Sequence, residues 1–193
     1  MSEIARVVAF LDACVLYPAL LRNFLMHLAL RDLFQARWSD RVHEEWIAVL
    51  LHNRPDLTFA QLARTRRLMD QNIDEALVSG YEHLIDRITL PDPKDRHVLA
   101  AAIHGGASII VTVNLRDFPP EVLATYGIEA QHPDTFVGAR LDEYQDDAVA
   151  ALHEMRLDLK NPPFSMPELL ASLARQGLAQ TVTELRRLIM PAQ

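Results

Sequence analysis

Four carboxylates in this chain stand where an α/β protein could gather them. Asp12 closes the apolar run VVAFL (7–11) and Glu45 lies within DRVHEEWIAVLLHN (40–53). Asp95 opens DRHVLAAAIH, and Asp117 follows SIIVTV (108–113) by a few residues. Two carboxylates ~4 Å apart repel by about 4 kcal/mol at an effective dielectric of roughly 20. Four in one pocket would take up protons or splay apart unless a cation lay between them. Such hard oxygen ligands select Mg²⁺ or Mn²⁺ over zinc or copper. An ion of that kind can neutralise a phosphate, lower the pKa of water and offset charge on a leaving oxygen. The set therefore suits phosphodiester hydrolysis, with no need for a nucleophilic serine or cysteine.

Each acid also has an ordinary reading. Asp12 could be a loop or cap residue, and Glu45, beside Glu44, could belong to a solvated helix face. Asp95 could favour a helix N-terminus through the dipole, Asp92 could be its N-cap, and Asp117 could be a turn residue in NLRDFPP. Other chemistries lack their motifs. The eight histidines include no His-Glu-x-x-His, and there is no cysteine pair for zinc. No phosphate-binding Gly-x-x-x-x-Gly-Lys-Ser/Thr or Gly-x-Gly-x-x-Gly turn occurs, and the absence of Gly-x-Ser-x-Gly weakens an α/β-hydrolase reading. A phosphatase of the haloacid dehalogenase type would need Asp-x-Asp after the first strand, and Cys14 stands at the second aspartate.

The elements that must position these acids follow from periodicity and punctuation. VVAFL reads as a buried strand, then a helix runs through LYPALLRNFLMHLALRDLF, with a short extended piece at 34–38. Ser39 is a good N-cap for a helix over 40–53, and Thr58 for one ending near residue 72. A short helix around 79–85 is expected to lead into a strand at 87–90. The clearest stretch is a proline-rich turn, a helix over 94–104 ended by Gly105-Gly106, and the strand 108–113. A loop with Asn114 and Asp117 follows, then a helix opened by Pro119 and a last strand, IEAQ. This alternation predicts an α/β fold: an open, mainly parallel sheet with helices on both faces. From Pro133 the pattern is helical only, with helices near 134–158, 167–176 and 181–190. The expected layout is an α/β domain over 1–137 and a helical C-terminal extension over 138–193. Ligands of such a sheet bind at the strands' carboxyl ends, where Asp12 and Asp117 fall.

The chain has 193 residues, half of them hydrophobic, and a net charge of −7. That balance is ordinary for a globular protein. Its acidity weighs against a promiscuous, high-affinity nucleic-acid binder but not against an enzyme whose carboxylates a metal neutralises. No apolar run approaches the ~18 residues needed to span a bilayer, and no signal-peptide pattern is expected at the N-terminus. A single cysteine, Cys14, excludes an internal disulfide and fits a reducing cytoplasm.

Together these segments resemble the PIN domain, and in particular the VapC-like toxin ribonucleases of bacterial toxin–antitoxin pairs, over roughly residues 7–137. FLDACVLYP resembles the family's opening strand, with Asp12 at its end. WSDRVHEEW resembles its Ser-x-x-x-x-x-Glu segment, which selects Glu45 over Glu44. LPDPKDRHVLAAAIHGGASIIVTVNLRDF is similar to its Asp-x-x-hydrophobic-x-Ala-Ala helix and the strand ending Thr-x-Asn-x-x-Asp-Phe. The matching positions there are Asp95, Thr112, Asn114 and Asp117. The resemblance implies an endoribonuclease dependent on Mg²⁺ or Mn²⁺, a homodimer inhibited by a small antitoxin. In it Asp12, Glu45, Asp95 and Asp117 hold the metal, Thr112 and Asn114 support them, and Asp92 is a further acid. Arg96 and Arg116, beside two of the acids, are candidates for contacting RNA. The alternative is a non-catalytic protein of this fold that binds a partner through its helical tail, and the presence of all four acids disfavours it. Residues 138–193 extend past the end of a typical toxin of this type.

Overall fold

The computed structural model describes residues 6–189. Five parallel strands form one sheet in the order β3-β2-β1-β4-β5: β1 is Val8–Leu11, β2 Gln35–Ser39, β3 Leu77–Val78, β4 Ile109–Val111 and β5 Glu129–Gln131. The apolar runs dictate which strands are central. Ala9, Phe10 and Leu11 of β1 and Ile110 and Val111 of β4 are wholly buried, as expected of strands covered on both faces.

Between β1 and β2 come α1 (Ala13–Leu16) and α2 (Ala19–Leu30), and between β2 and β3 come α3 (Asp40–Asn53) and α4 (Phe59–Asn72). The β3-to-β4 connection carries α5 (Glu82–Ile85), a 3₁₀ turn (Pro93–Asp95) and α6 (Arg96–His104). A second 3₁₀ turn (Leu115–Asp117) and α7 (Pro120–Leu123) lead to β5. Because crossovers are right-handed and the strand order reverses at β1, the helices before and after β3 fall on opposite faces. The reversal lies between β1 and β4, so a crevice opens beyond their carboxyl ends.

Local chemistry sets the helix limits. The Ser39 hydroxyl accepts from Val42 N–H, and Thr58 forms a capping box with Gln61. Helix α6 packs on β1, β2 and β4, and the small side chains of Ala100, Ala101 and Ala102 are wholly buried. At its end a Cβ on Gly105 would come within 2.8 Å of Val78 Cγ2, and Gly106 has φ +67°.

The sequence reading needs three corrections. Residues 87–90 form no strand: Ile88 and Leu90 are buried in irregular chain, and the sheet edge is taken by β3. The helix expected around 79–85 is a single turn, α5. The long helix over 134–158 breaks at Tyr144 (φ −133°, ψ 54°) into α8 (Pro133–Glu143) and α9 (Gln145–Asp158).

The remaining helices are α10 (Met166–Arg175) and α11 (Ala179–Ile189), and residue 190 of the expected last helix lies outside the described residues. Residue 137 falls inside α8. Helices α8–α11 share the core of the sheet domain. Phe136 meets Phe34 edge to face at 4.9 Å, α9 packs on α2, and Arg31 donates to both Glu154 and Asp147. Among the described residues no helix is long and apolar enough to cross a membrane.

Candidate metal centre

The crevice beyond β1 and β4 is a cleft of about 380 Å³ bordered by Asp12, Glu45 and Asp95, with Cys14, Tyr17 and Asn114 among the residues beside them. Asp12 stands at its floor. Its backbone N–H donates to Val111 O at 3.1 Å, continuing the β1–β4 ladder, and the chain then turns into α1. The carboxylate caps that turn by accepting from Ala13 N–H at 2.7 Å. Its second oxygen accepts from the Thr112 hydroxyl at 2.7 Å and the Cys14 thiol at 3.1 Å. Thr112 in turn accepts from Asn114 N–H at 3.0 Å, so the start of the Asn114 loop is tied to the same acid.

Glu45 enters from α3, where Ser39 fixes the helix start, and its carboxylate faces His97 Nε2 at 2.9 Å and Arg41 at 3.5 Å. His97 is almost wholly buried and its Nδ1 has no partner among the described residues. Asp95 ends the 3₁₀ turn at the N-cap position of α6, yet its side chain makes no cap hydrogen bond. Burial first, then repulsion from Asp12, Asp117 and Asp92, pushes its carboxyl up from 3.8 to about 6. Burial, and then the charge of Asp12, pushes the Cys14 thiol up to about 12, which leaves it a hydrogen-bond donor and not a nucleophile.

Of the four acids, three border the cleft. Asp117 does not, although it is close enough to raise Asp95. Asp92 caps the 3₁₀ turn by accepting from Lys94 N–H at 2.8 Å. Thr112 and Asn114 stand beside Asp12. Arg96 and Arg116 line no part of the cleft: Arg116 is exposed, and Arg96 is half-buried with an unpartnered Nε. Two contributors escaped the sequence reading, the Cys14 thiol and His97. His97 sits two residues after Asp95 on the helix, and only the chain crossing to α3 brings it to Glu45.

The donor set is all oxygen, and Asp95 carries a like-charge burden that a cation would relieve. Among the described residues no three His, Cys, Asp or Glu side chains converge closely enough to grip one ion directly. A cleft of this width with spread carboxylates fits Mg²⁺, which keeps several waters and takes one or two carboxylates directly.

A family model described as PIN domain matches residues 8–116, more than half of the chain, and one described as VapC50 C-terminal domain matches residues 133–187. The chain is 41% identical over 113 residues to "Putative ribonuclease VapC50" of Mycobacterium tuberculosis (strain ATCC 25618 / H37Rv). That match covers 58% of this chain and 66% of the relative, just under two thirds of its length. No solved structure matches. With the matched span running from β1 through the Thr112–Asn114 strand end, the chain belongs to the PIN domain family.

Proposed function

We propose that this chain is an endoribonuclease dependent on Mg²⁺ or Mn²⁺, acting in the cytoplasm as the toxin of a toxin–antitoxin pair. The observation that carries the reading is the convergence of Asp12, Glu45 and Asp95 on one cleft at the sheet's switch point. Family membership and the relative's name, a ribonuclease, support the same chemistry.

Asp12 and Asp95 are the residues to hold the cation, with Glu45 and Asp117 orienting its water shell. Thr112 and Cys14 keep one oxygen of Asp12 engaged, and Ala13 N–H keeps the other, so the carboxylate cannot rotate away. Asp92 supports Asp95 by shaping the turn before it. The bound cation supplies neutralising charge for a phosphate and an acidified water. The chain supplies orientation: an acid fixed by hydrogen bonds loses little freedom when the substrate arrives. Arg96 and Arg116 remain candidates for phosphates more distant from the cleft.

A small antitoxin and a second copy of the chain are the proposed partners. Residues 1–137 are proposed as the nuclease domain and 138–193 as its helical extension.

The test is cleavage of a mixed cellular RNA pool by purified protein with Mg²⁺ or Mn²⁺. The expected result is discrete fragments that vanish with EDTA and fall by about 10²–10³ in rate for Asp12→Asn, the scale of losing a charge-stabilising group. Cleavage that survives both changes would exclude the carboxylate site as its source.

A further inference from the structure

A second depression of about 900 Å³ lies between α3, α4 and the end of α10, and Tyr17 borders both it and the carboxylate cleft. The chain has 26 acidic against 19 basic residues. This groove nonetheless has Arg22, Arg54 and Arg175 on its walls and no Asp or Glu. The three arginines are not equivalent. Arg22 is committed to packing, with its guanidinium 4.8 Å from the Trp46 ring and donating to Leu16 O. Arg54 pairs with Asp56, but both are exposed, and such a pair is weak enough for a phosphate to compete for the guanidinium. Arg175 donates only to the Ser172 hydroxyl at 2.8 Å and has no ion-pair partner among the described residues.

We propose that this groove is the track for single-stranded RNA flanking the cleaved bond. Its phosphates would sit on Arg54 and Arg175 and a base against the Tyr17 ring. The proposal rests on the nuclease reading of the adjoining cleft and adds the path of its substrate. Three observations point to RNA. The positive wall is a local exception in an acidic chain, and phosphate contacts supply most of the affinity for a nucleic acid. An aromatic ring stands at the junction, where a base can stack without regard to sequence. The groove and the carboxylate cleft share Tyr17 as a wall, so a strand crossing that ring can lie in both at once, which a protein segment bound here would have no reason to do. The geometry also gives the C-terminal extension a task. Gln176 Oε1 accepts from Leu21 N–H at 2.9 Å at the start of α2, and this bond holds Arg175 in the groove wall.

The test uses the full chain with the paired substitutions Arg54→Gln and Arg175→Gln. Binding of a labelled mixed-sequence single-stranded RNA of about 12 nucleotides is measured in EDTA over a range of salt. The expected result is about tenfold weaker binding, with the slope of log affinity against log salt shallower by about 0.7 for each lost contact. A melting temperature within about 2 °C of the parent shows that the fold is intact. Equal binding and slope in parent and variant, or no binding by the parent, overturns the proposal. So does a labelled polyglutamate that binds the parent and is lost in the variant while RNA binding is unchanged, since that assigns the groove to an acidic protein segment. Metal-dependent cleavage is assayed beside it. Cleavage with arginine-independent binding fails the groove alone. Arginine-dependent binding with no cleavage fails the nuclease reading and leaves the groove standing.

Discussion

Asp12 and Asp95 are the same residue type facing one cleft, and their neighbours make them different. Asp12 has a backbone N–H, a hydroxyl and a thiol directed at it. Asp95 is partly buried without a cap hydrogen bond, and burial first, then the charges of three other carboxylates, pushes its carboxyl up to about 6. Its folded value therefore exceeds its unfolded value of 3.8. Between those values the folded chain binds more protons than the unfolded one, so this group's contribution is fully present below 3.8 and is lost as pH rises through about 6. In EDTA, Asp95→Asn should melt about 1–2 °C above the parent at pH near 7, once solvent screening is allowed for, and level with it near pH 4. Mn²⁺ should raise the melting temperature of the parent by mass action and leave the variant almost unmoved. A parent whose stability relative to the variant does not change over that pH range would show that the acids are not crowded.

At the scale of elements, Glu45 is only as well placed as α3, and a buried polar network fixes that helix. The His43 ring accepts from the Trp46 indole N–H at 3.0 Å and donates from Nε2 to Asp70 on α4 at 3.0 Å. The same Asp70 oxygen accepts from the Trp38 indole of β2 at 2.8 Å. One carboxylate thus joins β2, α3 and α4. Asp70→Ala would leave two wholly buried donors without an acceptor, a loss of about 2–3 kcal/mol measurable as a lower urea midpoint. A midpoint unchanged within about 0.5 kcal/mol would mean that water replaces the carboxylate. Such a network is not legible in the sequence, because its members touch only after folding. Nor is His97, which meets Glu45 across the sheet. Caps are legible because they are local: Ser39 and Thr58 mark the starts of α3 and α4 from their own side chains. Strand β3 escaped because two residues carry no period, and 87–90 misled because Ile88 and Leu90 alternate like a strand while packing into irregular chain. The four acids were legible as a pattern, but the gap between Asp117 and the cleft was not.

At the scale of the whole molecule, the C-terminal helices are bound into the core of the sheet domain. Leu152 and Met155 of α9 are wholly buried in the same cluster as Phe24 and Leu25 of α2. At the junction with the extension, Asp134 of α8 accepts from Gln180 and Thr181 N–H at 2.9 and 2.8 Å, capping α11, and the Thr181 hydroxyl returns a bond to Asp134 O. A chain ending at residue 132 would keep all five strands and expose the apolar face of α2 to water. Each large side chain of α2 left without its cover forfeits about 1.5–3 kcal/mol of burial, and a domain of this size has only about 5–15 kcal/mol in total. The full chain should therefore unfold in one calorimetric transition. The shortened chain should lose its cooperative melt and bind a hydrophobic dye. Asp134→Ala, a milder perturbation, should cost about 1–2 kcal/mol through the lost cap and leave the single transition in place. Two separate transitions in the full chain, or a cooperative melt of the shortened one, would instead make the extension an independent module. Arg175 would then reach its groove by docking, and RNA binding would vary with that equilibrium.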